Sequence, residues 1–211
     1  MRGHSFPPEG SGYINVAGDP PSVYLADYID FIKSYETHAK DSNGKFILDN
    51  NGDTIGYGHD LSDSEKQSEI YANGISETKA LEILKSDLDD CHGKIKKLVN
   101  TLNTNYGDSL NIIQFSREEY SLLLDVSFNR GFGLYKRPQL ESNGKPYSSL
   151  PILLIAVAKK DEITLIQTLK EETYNTKGIY YSGLELRRMD QYEIYKHGDY
   201  NRDRDINRGY Q

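Results

Sequence analysis

Three observations predict an α+β fold, with a small hairpin-bearing lobe inserted after the first helix and a larger helical lobe built from most of the remainder. Apolar residues recur at helical spacing before Glu36 and again from Ser76 onward. Between them, from His38 to Gly58, the period changes to strand and turn. Within that interval Asn51-Gly52 separates two short runs of β-type residues. This is the strongest local signal for a two-residue hairpin, because such a turn needs positive φ at both central positions.

Residues 1–22 are rich in Gly, Pro and Ser and read as a flexible segment or linker, with Ser22 as a helix N-cap. Tyr24, Leu25, Tyr28, Ile29 and Ile32 mark one apolar helix face, so the first helix ends close to Glu36. A type I′ turn at Asn51-Gly52 sets Asp49 opposite Thr54, Leu48 opposite Ile55 and Phe46 opposite Tyr57. Alternation then gives one face to Phe46, Leu48, Ile55 and Tyr57, which want burial, and the other to Asp49, Thr54, Gly56 and Gly58. The second face reads as the floor of a cleft, with glycines that let a ligand approach the backbone. The hairpin lobe spans about 37–75, within a domain covering 23–200.

A second helix is expected from near Ser76, with Ala80, Leu81, Leu84 and Leu88 on one face, continuing in pieces towards Leu98. Phe115-Ser116-Arg117-Glu118-Glu119-Tyr120 is a capping box with a hydrophobic staple. It opens a strongly apolar helix through Leu122, Leu123, Leu124, Val126 and Phe128, stopped by Gly131 and Gly133. Helical patterns follow at Ile152–Val157, Glu162–Tyr174 and Leu184–His197, the last ended by Gly198. The tail, 201–211, is polar and expected to fray.

Composition bounds the function. With 211 residues, 36% apolar and 27% charged, the chain has the balance of a soluble globular protein with room for one core. No apolar run is long enough to span a membrane, so no membrane insertion is expected, and the N-terminus lacks the shape of a signal peptide. One cysteine, Cys91, excludes an internal disulfide and reads as a small buried residue. The five histidines show no metal-ligand spacing, and a net charge of −7 argues against nucleic acid as a partner. No metal site is expected, and the chain is read as a monomer.

The chemistry reads as two carboxylates serving glycoside hydrolysis, which needs one acid to protonate the leaving oxygen and one carboxylate to direct a water or attack directly. Glu36 suits the acid, since the negative end of a helix macrodipole favours a group that arrives protonated. Asp49 suits the second role, beside the Thr54 hydroxyl. Asp41 and Asp53 are its rivals. The hairpin parity turns Asp53 to the other face, and Asp41, in Asp41-Ser42-Asn43-Gly44, reads as a turn residue. A calcium loop at Asp49–Asp53 fits poorly, because Thr54 stands where such a loop needs glycine and Asp60 where it needs a bidentate Glu.

Glu36, Asp49 and Thr54-Ile55-Gly56-Tyr57-Gly58-His59 together resemble the Glu…Asp…Thr arrangement of phage-type lysozymes, the family of the T-even phage lysozymes and many endolysins. The likeness continues in order through Gly74-Ile75-Ser76, Ser127-Phe128-Asn129-Arg130-Gly131-Phe132-Gly133, Gly183-Leu184-Glu185-Leu186-Arg187-Arg188 and Tyr195-Lys196-His197-Gly198-Asp199-Tyr200. The resemblance implies a lysozyme-like fold with an active-site cleft between its lobes. It also implies a muramidase cleaving the β-1,4 bond between N-acetylmuramic acid and N-acetylglucosamine of bacterial peptidoglycan, with inversion and without metal or cofactor.

Carried over by residue, Glu36 is the general acid, Asp49 activates or positions the water, Thr54 helps to place it, and Arg187 pairs with the acid. Substrate contact falls to Gly56, Gly58, Phe128 and Asn129. His59 is read as a supporting hydrogen-bond donor that fixes its strand to the next segment. Such a protein is made in the cytoplasm without a signal peptide and acts at the wall after release or injection, alone or as part of a larger phage or toxin protein. The chain departs from the family in its acidity and in a longer Glu36–Asp49 spacing with a slightly shorter Asp49–Thr54 spacing. The alternative reading is therefore a catalytically silent peptidoglycan-binding domain.

Overall fold

The computed structural model describes residues 13–16, 18, 24–36, 39–106, 114–130, 149–174, 179–203 and 210. In chain order these form β1 (Tyr13–Asn15), α1 (Ala26–Tyr35), β2 (Thr54–Ile55), β3 (His59–Asp60), α2 (Asp63–Lys66), α3 (Glu69–Ala72), α4 (Glu77–Tyr106), β4 (Gln114–Ser116), α5 (Arg117–Arg130), α6 (Ser149–Lys159), α7 (Glu162–Glu171) and α8 (Ser182–His197). The fold is α+β, as the sequence predicts. Among the described residues no helix is long and apolar enough to cross a membrane. The chain divides into two compact units, a smaller one of Ser22–Cys91 with Tyr200–Arg202, and a larger one of Met1–Pro21, His92–Asp199 and Asp203–Gln211.

In the smaller unit α1 buries Tyr28, Phe31 and Ile32 and ends with Glu36 as its C-cap, whose N–H still bonds the Ile32 carbonyl. The helix starts at Ala26 behind Leu25, which offers no side-chain cap, and Ser22 lies outside the described residues. The core is completed by Phe46, Ile55, Tyr57 and the α4 face of Ala80, Leu84 and Leu88, with the Phe46 and Tyr57 rings edge-on at 4.9 Å.

The hairpin differs from the expected one. Asn51 does not take a positive φ, although Gly52 does at 73°, so the type I′ turn is absent. Instead Gly52 N–H bonds the Asp49 carbonyl, and the Asp49 side chain accepts from the amides of Asp53 and Thr54 at 2.8 and 3.1 Å. An aspartate that takes downstream amides onto its own carboxylate competes with the ladder a two-residue turn requires. The strands that pair are β2 and β3, with Thr54 opposite Asp60 and Ile55 opposite His59. Phe46 bridges Lys40 and Ile75, not Tyr57. The local contact between Asp49 and Thr54 survives the change, because Asp49 N–H bonds the Thr54 carbonyl at 2.9 Å.

Helix α4 is one uninterrupted element of 30 residues, where pieces were expected. Gly93 lies at its middle, but Leu88, Cys91, His92, Ile95, Val99 and Leu102 keep one buried face through it, and that burial offsets the helical cost of glycine.

In the larger unit α5 packs against α6 and α8, α6 against α7, and α7 against α8. The capping box at its start is present, with Glu119 N–H on Ser116 Oγ at 3.2 Å and Ser116 N–H on Glu119 Oε2 at 2.9 Å. Every residue from Tyr120 to Ser127 is buried, so α5 is enclosed on all sides. Its expected glycine stop, Gly131 and Gly133, lies outside the described residues. The glycine ending α8 is in place, with Gly198 left-handed at φ 67°.

Two terminal expectations are corrected. Strand β1, within the segment read as linker, pairs antiparallel with β4, and Lys96 Nζ donates to the Gly18 carbonyl at 2.8 Å. Those residues belong to the larger unit. At the other end Arg202 and Asp203 have defined hydrogen-bond partners, so the tail is held at least that far.

Candidate active site

The α1 terminus sets Glu36 against the β2–β3 turn. Gly58, at φ 84°, belongs to the Gly56-Tyr57-Gly58 connection, and a Cβ built on it would lie 3.0 Å from Glu36 Oε2 and 3.3 Å from Cδ. The carboxyl of Glu36 therefore rests on bare backbone. A side chain there would be strained by its φ and would press on the carboxyl. Gly56 does a different job from the one expected. It is buried, and a Cβ on it would meet the Ala80 Cβ at 3.3 Å and Ile75 Cδ1 at 3.4 Å. Since both glycines sit in the turn itself, strand alternation does not extend to them, and Gly56 serves close packing on α4 instead of facing a ligand.

Asp49 is half-buried, and the amides of Thr54 and then Asp53 hold its carboxyl below the usual carboxylate range. It is thus ionised at neutral pH. Both bonds fall on Oδ1, and Oδ2 takes neither. Of the rivals, Asp53 is exposed and ion-paired to Lys66, while Asp41 accepts from the amides of Asn43 and Lys45 at 2.8 and 2.9 Å as a turn residue.

His59 is fixed from two sides. Its Nδ1 lies 3.0 Å from both oxygens of Asp87 on α4, and its Nε2 lies 3.2 Å from Glu65 Oε1. The Asp87 hydrogen bond is the main reason its pKa is raised to about 9. A folded-state pKa above the ordinary value near 6.5 means that the stabilisation is complete below about pH 6.5 and is lost as pH rises through about 9. His59→Gln should therefore unfold more readily than the parent by on the order of 2 kcal/mol at pH 6, after allowance for partial exposure. The gap should narrow by pH 10. Urea titration at both pH values measures it, and an equal gap at the two would remove the ion pairs from the account.

A further cluster, not anticipated, knits the same unit. Glu77 at the start of α4 receives Lys40 at 2.8 Å, Lys33 at 3.4 Å and the Tyr57 hydroxyl, and its pKa is lowered to about 2, chiefly by Lys40. Lys40 also lies over the Phe46 ring, 4.2 Å from its centroid. The pattern signal was weak, because the three partners come from separate segments.

In the larger unit Arg187 makes a bidentate pair with Asp125, Nε to Oδ2 at 2.9 Å and Nη2 to Oδ1 at 2.8 Å. Gln191 also donates to Asp125, and Arg188 bridges Gln191 Oε1 and Asn129 Oδ1. Asp125, Arg188 and Gln191 are completely buried. The sequence held a signal for this network. Asp125 interrupts the run Leu122-Leu123-Leu124-Asp125-Val126, and a charge in an enclosed helix demands a partner. Phe128 and Asn129 are half-buried at the end of α5, Asn129 with its carbonyl oxygen committed to Arg188.

No family model and no curated protein matches the chain. Among solved structures it is similar to an endolysin from the Escherichia coli O157:H7 phage FAHEc1, with a TM-score of 0.54 at 16% sequence identity, over 87% of this chain and 99% of that one. The α+β architecture described above is thus an endolysin-like fold.

Proposed function

We propose that the protein is a peptidoglycan hydrolase, and specifically a muramidase that cleaves the β-1,4 bond between N-acetylmuramic acid and N-acetylglucosamine with inversion. The observation that carries this is the pairing, in one unit of an endolysin-like fold, of a helix-end Glu36 seated on Gly58 with an ionised Asp49 hydrogen-bonded to Thr54. In the proposed reaction Glu36 gives its proton to the glycosidic oxygen as the C1–O4 bond breaks. A water held by Asp49 and the Thr54 hydroxyl adds to C1 and releases a proton to Asp49. Arg187, which the resemblance pairs with the acid, also has a structural task of its own in holding Asp125. The likeness to an endolysin supports the wall as substrate. Release from a phage-infected cell and delivery as a toxin would both suit a domain of this kind.

Digestion of purified peptidoglycan, with NMR of the newly formed reducing ends, tests the reading. The expected first product has the α configuration at N-acetylmuramic acid. A β product would overturn the water mechanism, and absence of any new reducing end would leave a wall-binding domain.

The choice of carboxylate has its own test. Asp49→Asn is expected to lower turnover by about 100-fold or more, because asparagine keeps the turn acceptor but cannot take a proton. Asp53→Asn and Asp41→Asn should stay near the parent, and Thr54→Ala should lose activity with little change in melting. A larger loss in Asp53→Asn than in Asp49→Asn would transfer the role to Asp53.

A further inference from the structure

After α8 the chain returns to the smaller unit for Tyr200–Arg202, and Arg202 is bound there in two ways. Its guanidinium lies over the Tyr35 ring, 4.4 Å from the centroid, and its Nη1 donates to the Ser34 carbonyl. Ser34 and Tyr35 are the last two residues of α1, immediately before Glu36. The last carbonyls of a helix lack intrahelical partners, and a cation placed on them matches both their lone pairs and the macrodipole. Tyr35 is packed on a second side by Phe31, with ring centroids 5.2 Å apart. The residue after Arg202 is fixed as well, through the Asp203 amide on the buried carboxylate of Asp190 at 3.3 and 3.4 Å.

We propose that Arg202 is a positioning residue for Glu36. By capping Ser34 and clamping Tyr35 it sets the backbone from which the Glu36 side chain departs, and so the seat of its carboxyl on Gly58. The catalytic part of this inference rests on Glu36 as the acid, whereas the positioning part does not. A cation–π contact favours a fixed ring, and a hydrogen bond to a helix-terminal carbonyl resists fraying of the last turn. Since misplacement of a reacting group by about 1 Å can cost around 100-fold in rate, loss of Arg202 should appear in kcat, with KM and folding changed little.

The experiment uses the full chain with 13C-labelled glutamate, the Glu36 carboxyl signal being assigned by its disappearance in Glu36→Gln. Arg202→Ala should shift that signal and lower kcat on purified peptidoglycan by about 10-fold, with KM within about twofold. Arg202→Lys, which keeps a donor and a cation, should restore much of both. Tyr35→Leu removes the ring but leaves the carbonyl bond, and should give a smaller change in the same direction, which covers the case in which Arg202→Ala folds poorly. An unmoved Glu36 signal with unchanged kcat in Arg202→Ala and Tyr35→Leu overturns the proposal, as does a rise in KM alone. A shifted signal together with an active Glu36→Gln supports the positioning and overturns only the acid assignment.

Discussion

Glu36→Gln should reduce release of reducing ends from purified peptidoglycan by about 10²–10⁴-fold while leaving the melting temperature nearly unchanged. The amide matches the carboxyl in shape, so it can occupy the same seat on Gly58. It cannot surrender an acidic proton to a leaving oxygen. Glu36 is half-exposed at a helix end, where an isosteric exchange disturbs less packing than it would in the core. A pelleting assay should show that the variant still binds walls. Turnover near that of the parent would remove Glu36 from the acid role and, with it, the reason for placing the chemistry at the α1 terminus.

The second large effect belongs to stability. Asp125→Ala removes the buried carboxylate to which Arg187 and Gln191 donate, and breaking a buried pair in this way costs about 3–5 kcal/mol. For a chain of this size that corresponds to a fall in melting temperature on the order of 10 °C. Asp125→Asn should cost less, because both donors keep an acceptor. Replacing the pair together, as Asp125→Leu with Arg187→Met, should recover much of the loss, since the expense lies in an uncompensated charge more than in the absent bond. Chemical denaturation read by circular dichroism compares the three. A single Asp125→Ala variant as stable as the parent would show that the network contributes little to folding.

Much of this was legible in the residues. The end of α1 at Glu36, the capping box of Ser116 and Glu119, and the stop of α8 at Gly198 are decided by side chains within a few positions of the feature, and local rules read them correctly. The hairpin was misread because two local rules compete there. Asn-Gly favours a two-residue turn, but Asp49 satisfies the next amides itself, and the glycines at 56 and 58 supply the positive φ for a turn further on. The continuity of α4 through Gly93 depends on what packs along its length, which no window of sequence contains. Strand β1 is three residues long, too short for a period to register, and its partner lies about a hundred residues away. The contacts of Asp125 and Arg202 are likewise made over long sequence separations, so only the type of residue gave notice of them.

The way Asp49 is held has an evolutionary consequence. The oxygen that fixes the turn is one that asparagine also possesses, whereas the negative charge that the proposed reaction asks of Asp49 is not. A single base change converts an aspartate codon into an asparagine codon. If the proposed reaction holds, the architecture around residue 49 would outlive it, and a descendant that grips the wall without cutting it would stand one mutation away. Selection for adhesion alone could keep such a descendant, and the same single step in reverse would restore the charge at residue 49.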